Sequence, residues 1–253
     1  MTATTEMIPT LTVRGAVKRF GAVLAIDNVS ITANAGEVTA LLGDNGAGKS
    51  TLIKCISGVH RLDAGSIEID GLAQPIHSPA GARRAGIETV YQDLALFDNM
   101  DATANFYAGR ELAGPAWLPR PLQWVRRREM ESATQELLDR LKVVLPSFSA
   151  QIGLMSGGQR QAVAVARAAA FARKVVILDE PTAALGLRES RQVLNLVERL
   201  RDQGNAVILI THNMEQVVDI ANKAVVMRRG RKVGEVVPSE ATRKDIVSLI
   251  VGA

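Results

Sequence analysis

The chain has 253 residues, 47% of them hydrophobic, and carries 30 Lys and Arg against 26 Asp and Glu, for a net charge of +4. This apolar content supports a buried core and excludes an intrinsically disordered chain, and so small a basic excess does not require a nucleic-acid partner. The single cysteine, Cys55, excludes an intrachain disulfide and suits a reducing compartment.

Segments typical of strands alternate with segments typical of helices along the chain. Short runs rich in Val, Ile and Leu predict strands at Glu37–Leu42, Ser66–Asp70, Gly86–Tyr91, Val175–Leu178, Ala206–Ile210 and Ala224–Met227. Helical patterns follow two of these strands, at Lys49–Ser57 and at Leu187–Gln203. The later strands are almost continuously apolar, as parallel strands covered on both faces are. The predicted fold class is therefore α/β, with a mainly parallel sheet.

The stretch between the third and fourth predicted strands breaks this alternation, because it shows little strand signal. Two segments in it have helical patterns, Ala102–Leu112 and Arg126–Leu141, and they flank a proline-rich turn, Gly114–Pro121. We therefore expect one domain, residues 1–253, with a helical subdomain at 93–157 inserted into its α/β core.

A glycine-rich loop follows the first predicted strand and leads into the first predicted helix. Its sequence fits the pattern G-x-x-x-x-G-K-[ST] at every fixed position. Glycines let backbone N–H groups curl inward around an anion, and the helix behind them directs its positive end at the same point. The candidate nucleotide-binding residues are Gly43, Asp44, Asn45, Gly46, Ala47, Gly48, Lys49, Ser50 and Thr51.

Two side chains of this loop carry specific chemistry. Lys49 supplies a mobile positive charge to the β- and γ-phosphates, and the Ser50 hydroxyl is a ligand for Mg²⁺. The alternative is a chance glycine-rich turn, but a strand and a helix flank the loop as the pattern requires. We therefore expect ATP and Mg²⁺ as cofactors.

A pair of carboxylates follows the predicted strand Val175–Leu178. We expect Asp179 to help hold Mg²⁺ and Glu180 to polarise the attacking water. Acidic residues are common at sheet edges, so the pair alone is a weak signal. It becomes strong beside the Gly43–Thr51 loop, because phosphoryl transfer needs both a metal ligand and a group that orients the nucleophile.

A second anion-attracting turn, Met155–Gln159, precedes an alanine-rich helix predicted at Arg160–Ala172. Its two glycines allow close approach of a ligand, and the helix start attracts anions. The alternative is a turn that only caps the helix, and for this motif alone the alternative is the better interpretation. The candidate binding residues are Ser156, Gly157, Gly158 and Gln159.

Together the three motifs make the chain resemble an ATP-binding subunit of the ATP-binding-cassette (ABC) superfamily, from about Leu11 to Val237. Met155–Gln159 stands where that family has its signature motif, usually written LSGGQ. The resemblance implies a P-loop NTPase core and an ATP molecule sandwiched between two copies of the chain. The Gly43–Thr51 loop of one copy then faces the Ser156–Gly158 turn of the other, which accounts for two anion sites in one chain.

The resemblance also implies roles for three further residues. Gln92 matches a glutamine that contacts the metal and the water and moves with the transport partner. His212 matches a switch histidine at the γ-phosphate, which makes it a catalytic candidate together with Glu180, Lys49 and Gln92. Phe20 stands where the family stacks an aromatic ring on adenine. The alternatives are a solvated strand end for Gln92, a structural histidine, and core packing for Phe20.

Two positions depart from the family pattern. Met155 replaces the usual Leu, and we expect little effect because both side chains fill a similar pocket. Gly186 stands where the family commonly has an Asp that couples the two ATP sites. Another residue or the backbone must then make that contact.

Three segments are similar to those of bacterial monosaccharide importers of the ribose, xylose and fructose type: Gly43–Gly46, Glu88–Leu96 and Ala183–Gly186. The resemblance implies a homodimer, a polytopic membrane permease and, indirectly, a sugar-binding protein, with no nucleic acid expected.

The sequence shows neither a secretory signal at its start nor a long uncharged apolar run. We therefore expect a peripheral protein, held at the cytoplasmic face of the membrane by its partner. The alternative is a soluble ABC ATPase that acts on nucleic acid or ribosomes. The coiled-coil insertions, zinc modules or second cassette typical of those relatives are not visible in the sequence.

Overall fold

The computed structural model describes residues 8–114 and 124–252, so most of the predicted turn Gly114–Pro121 lies outside the described residues. In chain order the strands are β1 (Leu11–Phe20), β2 (Val23–Ala33), β3 (Val38–Leu42), β4 (Ala64–Ile69), β5 (Leu72–Ala73), β6 (Ile87–Val90), β7 (Val175–Asp179), β8 (Ala206–Ile210), β9 (Lys223–Arg228) and β10 (Arg231–Val236). The helices are α1 (Lys49–Ile56), α2 (Pro79–Arg84), α3 (Ala102–Tyr107), α4 (Arg127–Arg140), α5 (Gly157–Phe171), α6 (Leu187–Asp202), α7 (Met214–Ile220) and α8 (Arg243–Val251).

A six-stranded sheet forms the centre of the fold, in the order β10-β9-β3-β8-β7-β6. The strands from β9 to β6 run parallel, and β10 pairs antiparallel with β9 at the edge. Every residue of β3 and β8 is buried, as their apolar sequences predict for strands covered on both faces. The predicted α/β class with a mainly parallel sheet is confirmed.

A second sheet, in the order β2-β1-β4-β5, is antiparallel throughout. Of its strands the sequence predicted only the segment Ser66–Asp70, which overlaps β4. The pairing of β1 with β2 contains register shifts, one of them around Gly15, whose φ is 54°. Such shifts interrupt the alternation of polar and apolar residues by which a strand is recognised.

The region between β6 and β7 carries α3, α4 and α5. The prediction for α4, Arg126–Leu141, is correct to within one residue at each end. The helix predicted at Ala102–Leu112 is too long, because α3 ends at Tyr107 and the backbone turns away at Gly109, whose φ is 71°. No helix in the described segments is long and apolar enough to cross a bilayer.

The described residues form three apolar cores, and the two larger ones lie on opposite faces of the six-stranded sheet, because alternate residues of its strands face opposite ways. Ile177 contributes to the core that packs α1 between the two sheets, and Val176 to the core beneath α3–α6. Each fully buried aliphatic side chain contributes about 1.5–3 kcal/mol to stability. Cys55 belongs to the first core, where burial raises the pKa of its thiol to about 11, so it is an inert apolar group.

Candidate functional site

Four neighbouring parallel strands lead directly into predicted site residues. In the sheet order β3, β8, β7 and β6, these are the Gly43–Thr51 loop, His212, the Asp179–Glu180 pair and Gln92. The carboxyl ends of parallel strands lie at one edge of the sheet, and that edge is where open α/β sheets bind ligands. The fold therefore gathers at one edge residues that are far apart in sequence. We call this set the strand-end site.

The loop after β3 passes very close to the rest of the protein. A Cβ added at Gly43 would lie 2.2 Å from the Met227 carbonyl oxygen, and one at Gly48 would lie 2.7 Å from the Ala25 carbonyl oxygen. Both glycines also have positive φ, 147° and 100°. Only glycine fits these positions, and Gly48 is the N-cap of α1. The loop is a glycine cradle at a helix start, which is the geometry that holds phosphate groups.

The Lys49 side chain lies over this loop. Its ammonium donates to the carbonyl oxygens of Gly43 at 2.8 Å and of Asp44 at 3.0 Å. The Ala47 N–H donates to the Asp44 carbonyl at 3.1 Å, and the Ala47 side chain is buried in the core. Ala47 therefore fixes the shape of the loop, while the Lys49 charge can exchange carbonyl oxygens for phosphate oxygens.

Asp179 is half-buried at the end of β7. Burial and then the negative charge of Glu180 raise the pKa of its carboxyl, while the positive charges of Lys49 and Lys54 lower it. The positive charge of Lys49 therefore acts on the Asp179 carboxyl, so the loop and the carboxylate pair are electrostatically coupled.

The oxygen ligands at this edge suit Mg²⁺ when they are shared with phosphates. Ser50 is exposed in the first turn of α1, and Asp179 supplies a carboxylate nearby. Among the described residues there is no group of three or more His, Cys, Asp or Glu side chains that could hold a metal ion. Mg²⁺ commonly binds through one or two protein oxygens, with phosphate oxygens and water completing its shell, and Ser50 and Asp179 fit that pattern.

Glu180 and His212 form a close pair. The His212 Nδ1 lies 2.7 Å from Oε2 and 2.9 Å from Oε1 of Glu180, so an Nδ1–H group donates a hydrogen bond to the ionised carboxylate. Glu180 has a φ of 52°, a left-handed conformation that costs a residue with a side chain about 1–3 kcal/mol. Its N–H donates to the Ile210 carbonyl at 2.9 Å, which holds this backbone against the end of β8. A strained backbone thus directs a carboxylate out of the sheet edge towards an imidazole.

Gln216 supports this pair, and the sequence did not indicate it. Its buried amide oxygen accepts hydrogen bonds from the Thr182 hydroxyl at 2.9 Å and from the Thr211 hydroxyl at 3.4 Å. The segment after Glu180 and the residue before His212 therefore rest on one side chain. Thr182 and Gln216 are 34 residues apart, so no local pattern could have revealed the contact.

Gln92 is exposed just beyond β6. The preceding Tyr91 is anchored, because its hydroxyl donates to Ser57 Oγ at 2.6 Å, and Ser57 is the C-cap of α1. The exposed position of Gln92 is compatible with a contact to metal and water. It is equally compatible with a solvated strand end.

The Phe20 ring is 42% exposed at the end of β1, so it does not pack in the core. The His60 ring meets it edge-on at 5.1 Å, and Lys18 Nζ lies 5.5 Å from its centroid. Phe20 pairs with Val23 at the start of β2, and the same strand places the Ala25 carbonyl against the phosphate loop. An aromatic face beside the loop is what stacking on a base requires.

The turn Ser156–Gln159, which we call the signature turn, stands apart from the strand-end site. It is itself the first turn of α5, which begins at Gly157 and not at Arg160 as predicted. The Ser156 N–H donates to Gln159 Oε1 at 2.9 Å, and the Gln159 N–H donates to Ser156 Oγ at 3.3 Å. This is a capping box, so the Gln159 side chain is engaged within the turn.

The signature turn contacts the start of α6. A Cβ added at Gly158 would lie 2.9 Å from the Glu189 side chain, and Glu189 Oε2 accepts from the Gly186 N–H at 3.2 Å. Across the described residues, no hydrogen bond or ion pair joins the signature turn to the Gly43–Thr51 loop. Met155 is buried in the core beneath α3–α6, as expected for a residue that replaces Leu. One chain therefore assembles the strand-end site and leaves the second anion-attracting turn elsewhere.

The sequence model of the ABC transporter family matches residues 26–183. The chain is 44% identical to the fructose import ATP-binding protein FrcA of Rhizobium meliloti, over 97% of this chain and 95% of that protein. It is 45% identical to the xylose/arabinose import ATP-binding protein XylG of Sulfolobus acidocaldarius, over 87% of this chain and 85% of that protein. The ribose import ATP-binding protein RbsA 1 of Rubrobacter xylanophilus is 42% identical over 97% of this chain, which spans 48% of that protein.

Solved structures with the same fold are ATP-binding cassettes. A nucleotide-free ATP-binding cassette from an ABC transporter superposes with a TM-score of 0.83 and 28% identity, over 96% of this chain and 97% of that one. The ADP conformation of another such cassette gives a TM-score of 0.80 and 27% identity, over 97% of this chain and 99% of that one.

Proposed function

The chain belongs to the ABC transporter family and is an ATP-binding and ATP-hydrolysing subunit, and we propose that it energises the import of a monosaccharide into a bacterial cell. The relatives named for fructose, xylose or arabinose and ribose import support this substrate class. The observation that carries the mechanism is the common edge at which β3, β8, β7 and β6 end. The alternative of an ATPase acting on nucleic acid or ribosomes gains no support from these relatives.

The Gly43–Thr51 loop and the neighbouring β1–β2 hairpin hold the nucleotide. Backbone N–H groups of Gly43–Thr51 surround the phosphates, and Lys49 transfers its ammonium from the loop carbonyls to the β- and γ-phosphates. Phe20 offers its exposed ring to the adenine. The exchange of partners by Lys49 replaces neutral acceptors with charged ones, so phosphate binding strengthens its hydrogen bonds.

Hydrolysis uses the carboxylates at the neighbouring strand ends. Ser50, Asp179 and Gln92 are the residues that would hold Mg²⁺, which neutralises charge on the phosphates. Glu180 polarises the attacking water, and its strained backbone and its contact with His212 fix the direction of its carboxylate. His212 then lies beside both the water and the γ-phosphate.

A complete site needs a second copy of the chain. The signature turn attracts anions at the start of α5 but, in the described residues, makes no hydrogen bond or ion pair with the strand-end site of its own chain. In a homodimer, Ser156, Gly157 and Gly158 of one copy close on the ATP held by the other. The capping box predicts that Gln159 acts through its backbone and through the shape of the turn.

The transport partner is a polytopic permease, served indirectly by a sugar-binding protein. The 93–157 subdomain follows Gln92 directly and carries α3 and α4, so it is placed to transmit closure of the dimer to the permease. The subunit then works as a peripheral protein at the cytoplasmic face of the membrane.

Hydrolysis by the purified chain tests the proposed role of the Gly43–Thr51 loop in ATP binding and turnover. Wild-type protein should release phosphate from ATP with Mg²⁺, and Lys49→Ala should lose nucleotide affinity or turnover by about 100-fold. Arg140→Ala, on the exposed face of α4, is the control and should behave as wild type. Wild-type rates in Lys49→Ala would overturn the role of the loop.

Affinity purification from the native membrane in detergent tests the transport role. A polytopic partner should copurify with the chain, and proteoliposomes of this complex should accumulate a monosaccharide when ATP is supplied. Recovery of RNA or ribosomes in its place would favour the soluble alternative.

A further inference from the structure

Arg167 of α5 holds the chain segment that follows Gln92. Its guanidinium donates one hydrogen bond to the Ala95 carbonyl oxygen at 2.8 Å and another to the Leu94 carbonyl oxygen at 2.9 Å. The planar, two-armed guanidinium fixes both the position and the orientation of this backbone. Arg167 and Ala95 are 72 residues apart, so the contact ties the strand-end site to a distant helix.

The segment held by Arg167 has an unusual conformation. Ala95 has a φ of 49°, in the left-handed region that residues with a Cβ rarely adopt. The side chains of Leu94 and Leu96 pack against the core beneath α3–α6. Such a conformation persists only where its surroundings hold it, and strain of this kind is concentrated at functional sites.

Packing alone does not explain an arginine at position 167, because burial of its charge costs free energy. It is half-buried, and burial, followed by the positive charge of Arg110, lowers the pKa of its guanidinium. Arg110 already has a carboxylate partner, because it pairs with Glu88 at 2.8 Å. No salt bridge to Arg167 occurs in the described residues, so its direct partners are two carbonyl oxygens, and the Glu88 carboxylate acts on it only at longer range, against the effect of Arg110. An apolar side chain would fill this space without that desolvation penalty.

The helix that carries Arg167 begins at the signature turn. Ser156 is the N-cap of α5, and α5 runs without a break to Phe171. A continuous helix moves as a rigid rod over this length. A displacement of the signature turn therefore reaches Arg167, and through two hydrogen bonds it reaches the backbone that follows Gln92.

We propose that Arg167 is a positioning residue that couples Gln92 to the signature turn. This inference rests on the proposed function, because it assumes that Gln92 contacts metal and water and that the signature turn closes on the partner's ATP. Closure of the turn on one ATP then moves Gln92 into place at the other ATP. Each α5 thereby links the two sites of the dimer.

A double-mutant cycle in the purified chain tests this coupling. The variants are Arg167→Met, Gln92→Ala and the double variant, with Arg167→Lys as the conservative replacement and Arg140→Lys as an exposed control. Arg167→Met should lower kcat about 10- to 100-fold, because small misplacement of a reacting group has effects of that size. Its ATP affinity in EDTA should stay within about twofold of wild type, and the Mg²⁺ concentration for half-maximal activity should rise. Arg167→Lys can reach one carbonyl and should be intermediate.

The cycle separates coupling from a structural role. If Arg167 acts through Gln92, the double variant should be no slower than Gln92→Ala alone, within about twofold. Fully multiplicative losses, or wild-type activity in both Arg167 variants, would overturn the proposal. If Arg167→Met does not melt cooperatively, the same cycle is run with Arg167→Lys, and an Arg167→Lys protein that matches wild type then overturns it. A wild-type chain without ATPase activity would contradict the proposed function itself, which is a different result.

Discussion

The strand-end site and the signature turn are built from similar parts but differ in completeness. Both place glycines at the start of a helix, and both attract anions. The strand-end site adds a lysine, a glutamine, two carboxylates and a histidine, all positioned by four adjacent parallel strands. In the part of the chain that the structure describes, the signature turn has its own capping box and contacts with the start of α6, and no lysine, carboxylate and histidine set of this kind. The difference is what the proposed homodimer requires, in which the turn binds an ATP whose catalytic groups belong to another copy.

Removal of the Glu180 charge is the change with the largest expected effect on this comparison. Glu180→Gln keeps the size of the side chain but cannot polarise water as a carboxylate does. Hydrolysis should fall by about 100- to 1,000-fold. ATP affinity, measured by equilibrium binding, should remain near that of wild type, because the phosphate loop is unchanged. Near-normal turnover would show that another group activates the water.

A glycine-to-alanine change in each region should separate the two roles. Gly43→Ala places a Cβ against the Met227 carbonyl at 2.2 Å, so ATP affinity should fall by about 100-fold or more. Gly46→Ala is the matched control in the same loop, since its Cβ would meet no atom within 4 Å, although its φ of 78° adds some strain.

Gly158→Ala disturbs the packing against Glu189 and leaves the phosphate loop intact. The monomer should bind ATP normally, and ATP-dependent dimerisation should weaken by about tenfold. Equilibrium binding and light scattering measure the two effects separately. Loss of ATP affinity in the Gly158→Ala monomer would contradict the assignment of ATP binding to the strand-end site and of dimerisation to the signature turn.

Removal of the imidazole should have a smaller effect than removal of the carboxylate. His212→Ala leaves Glu180 in place but removes the group that fixes its direction. We expect kcat to fall by about tenfold or more, with ATP affinity retained, because positioning groups contribute less than the group that acts on water. Steady-state kinetics of both variants side by side test the order. A larger loss of kcat in His212→Ala than in Glu180→Gln would show that His212, and not Glu180, is the group that acts on the water.

The smallest expected effect is on stability. Burial raises the pKa of Asp179, so the folded state favours the protonated acid, and the ionised carboxylate destabilises the fold as pH rises through that pKa. Asp179→Asn should therefore raise Tm by about 1–3 °C at pH 8, a modest gain because the group is partly exposed. The gain should shrink as the pH falls through the raised pKa of Asp179, and Mg²⁺-dependent hydrolysis should be lost. A lower Tm at pH 8 would show that Asp179 stabilises the fold.

The sequence predicted the strand-end site better than the fold around it. The Gly43–Thr51 loop and the Asp179–Glu180 pair follow buried strands, and continuous apolar runs mark such strands clearly. β1 and β2 escaped prediction because their shifted register breaks the alternation on which recognition depends.

Long-range side-chain contacts could not be predicted from local pattern at all. Gln216 and Arg167 reach partners 34 and 72 residues away, and neither residue lies in a recognisable motif. The ordering of β3, β8, β7 and β6 brings these distant segments together. Sequence reasoning therefore found the groups placed at strand ends, and the structure was needed to find what holds them.

The central claim is that the signature turn of one copy completes the ATP site of another. The oligomeric state of the Glu180→Gln protein tests this claim most directly. Sedimentation velocity with Mg²⁺ and saturating ATP should show a stable dimer, and the same protein with ADP should sediment as a monomer. Addition of Ser156→Arg, which places a bulky side chain in the turn, should abolish the ATP-dependent dimer and leave ATP binding by the monomer intact. A Glu180→Gln protein that stays monomeric at saturating ATP would contradict the claim.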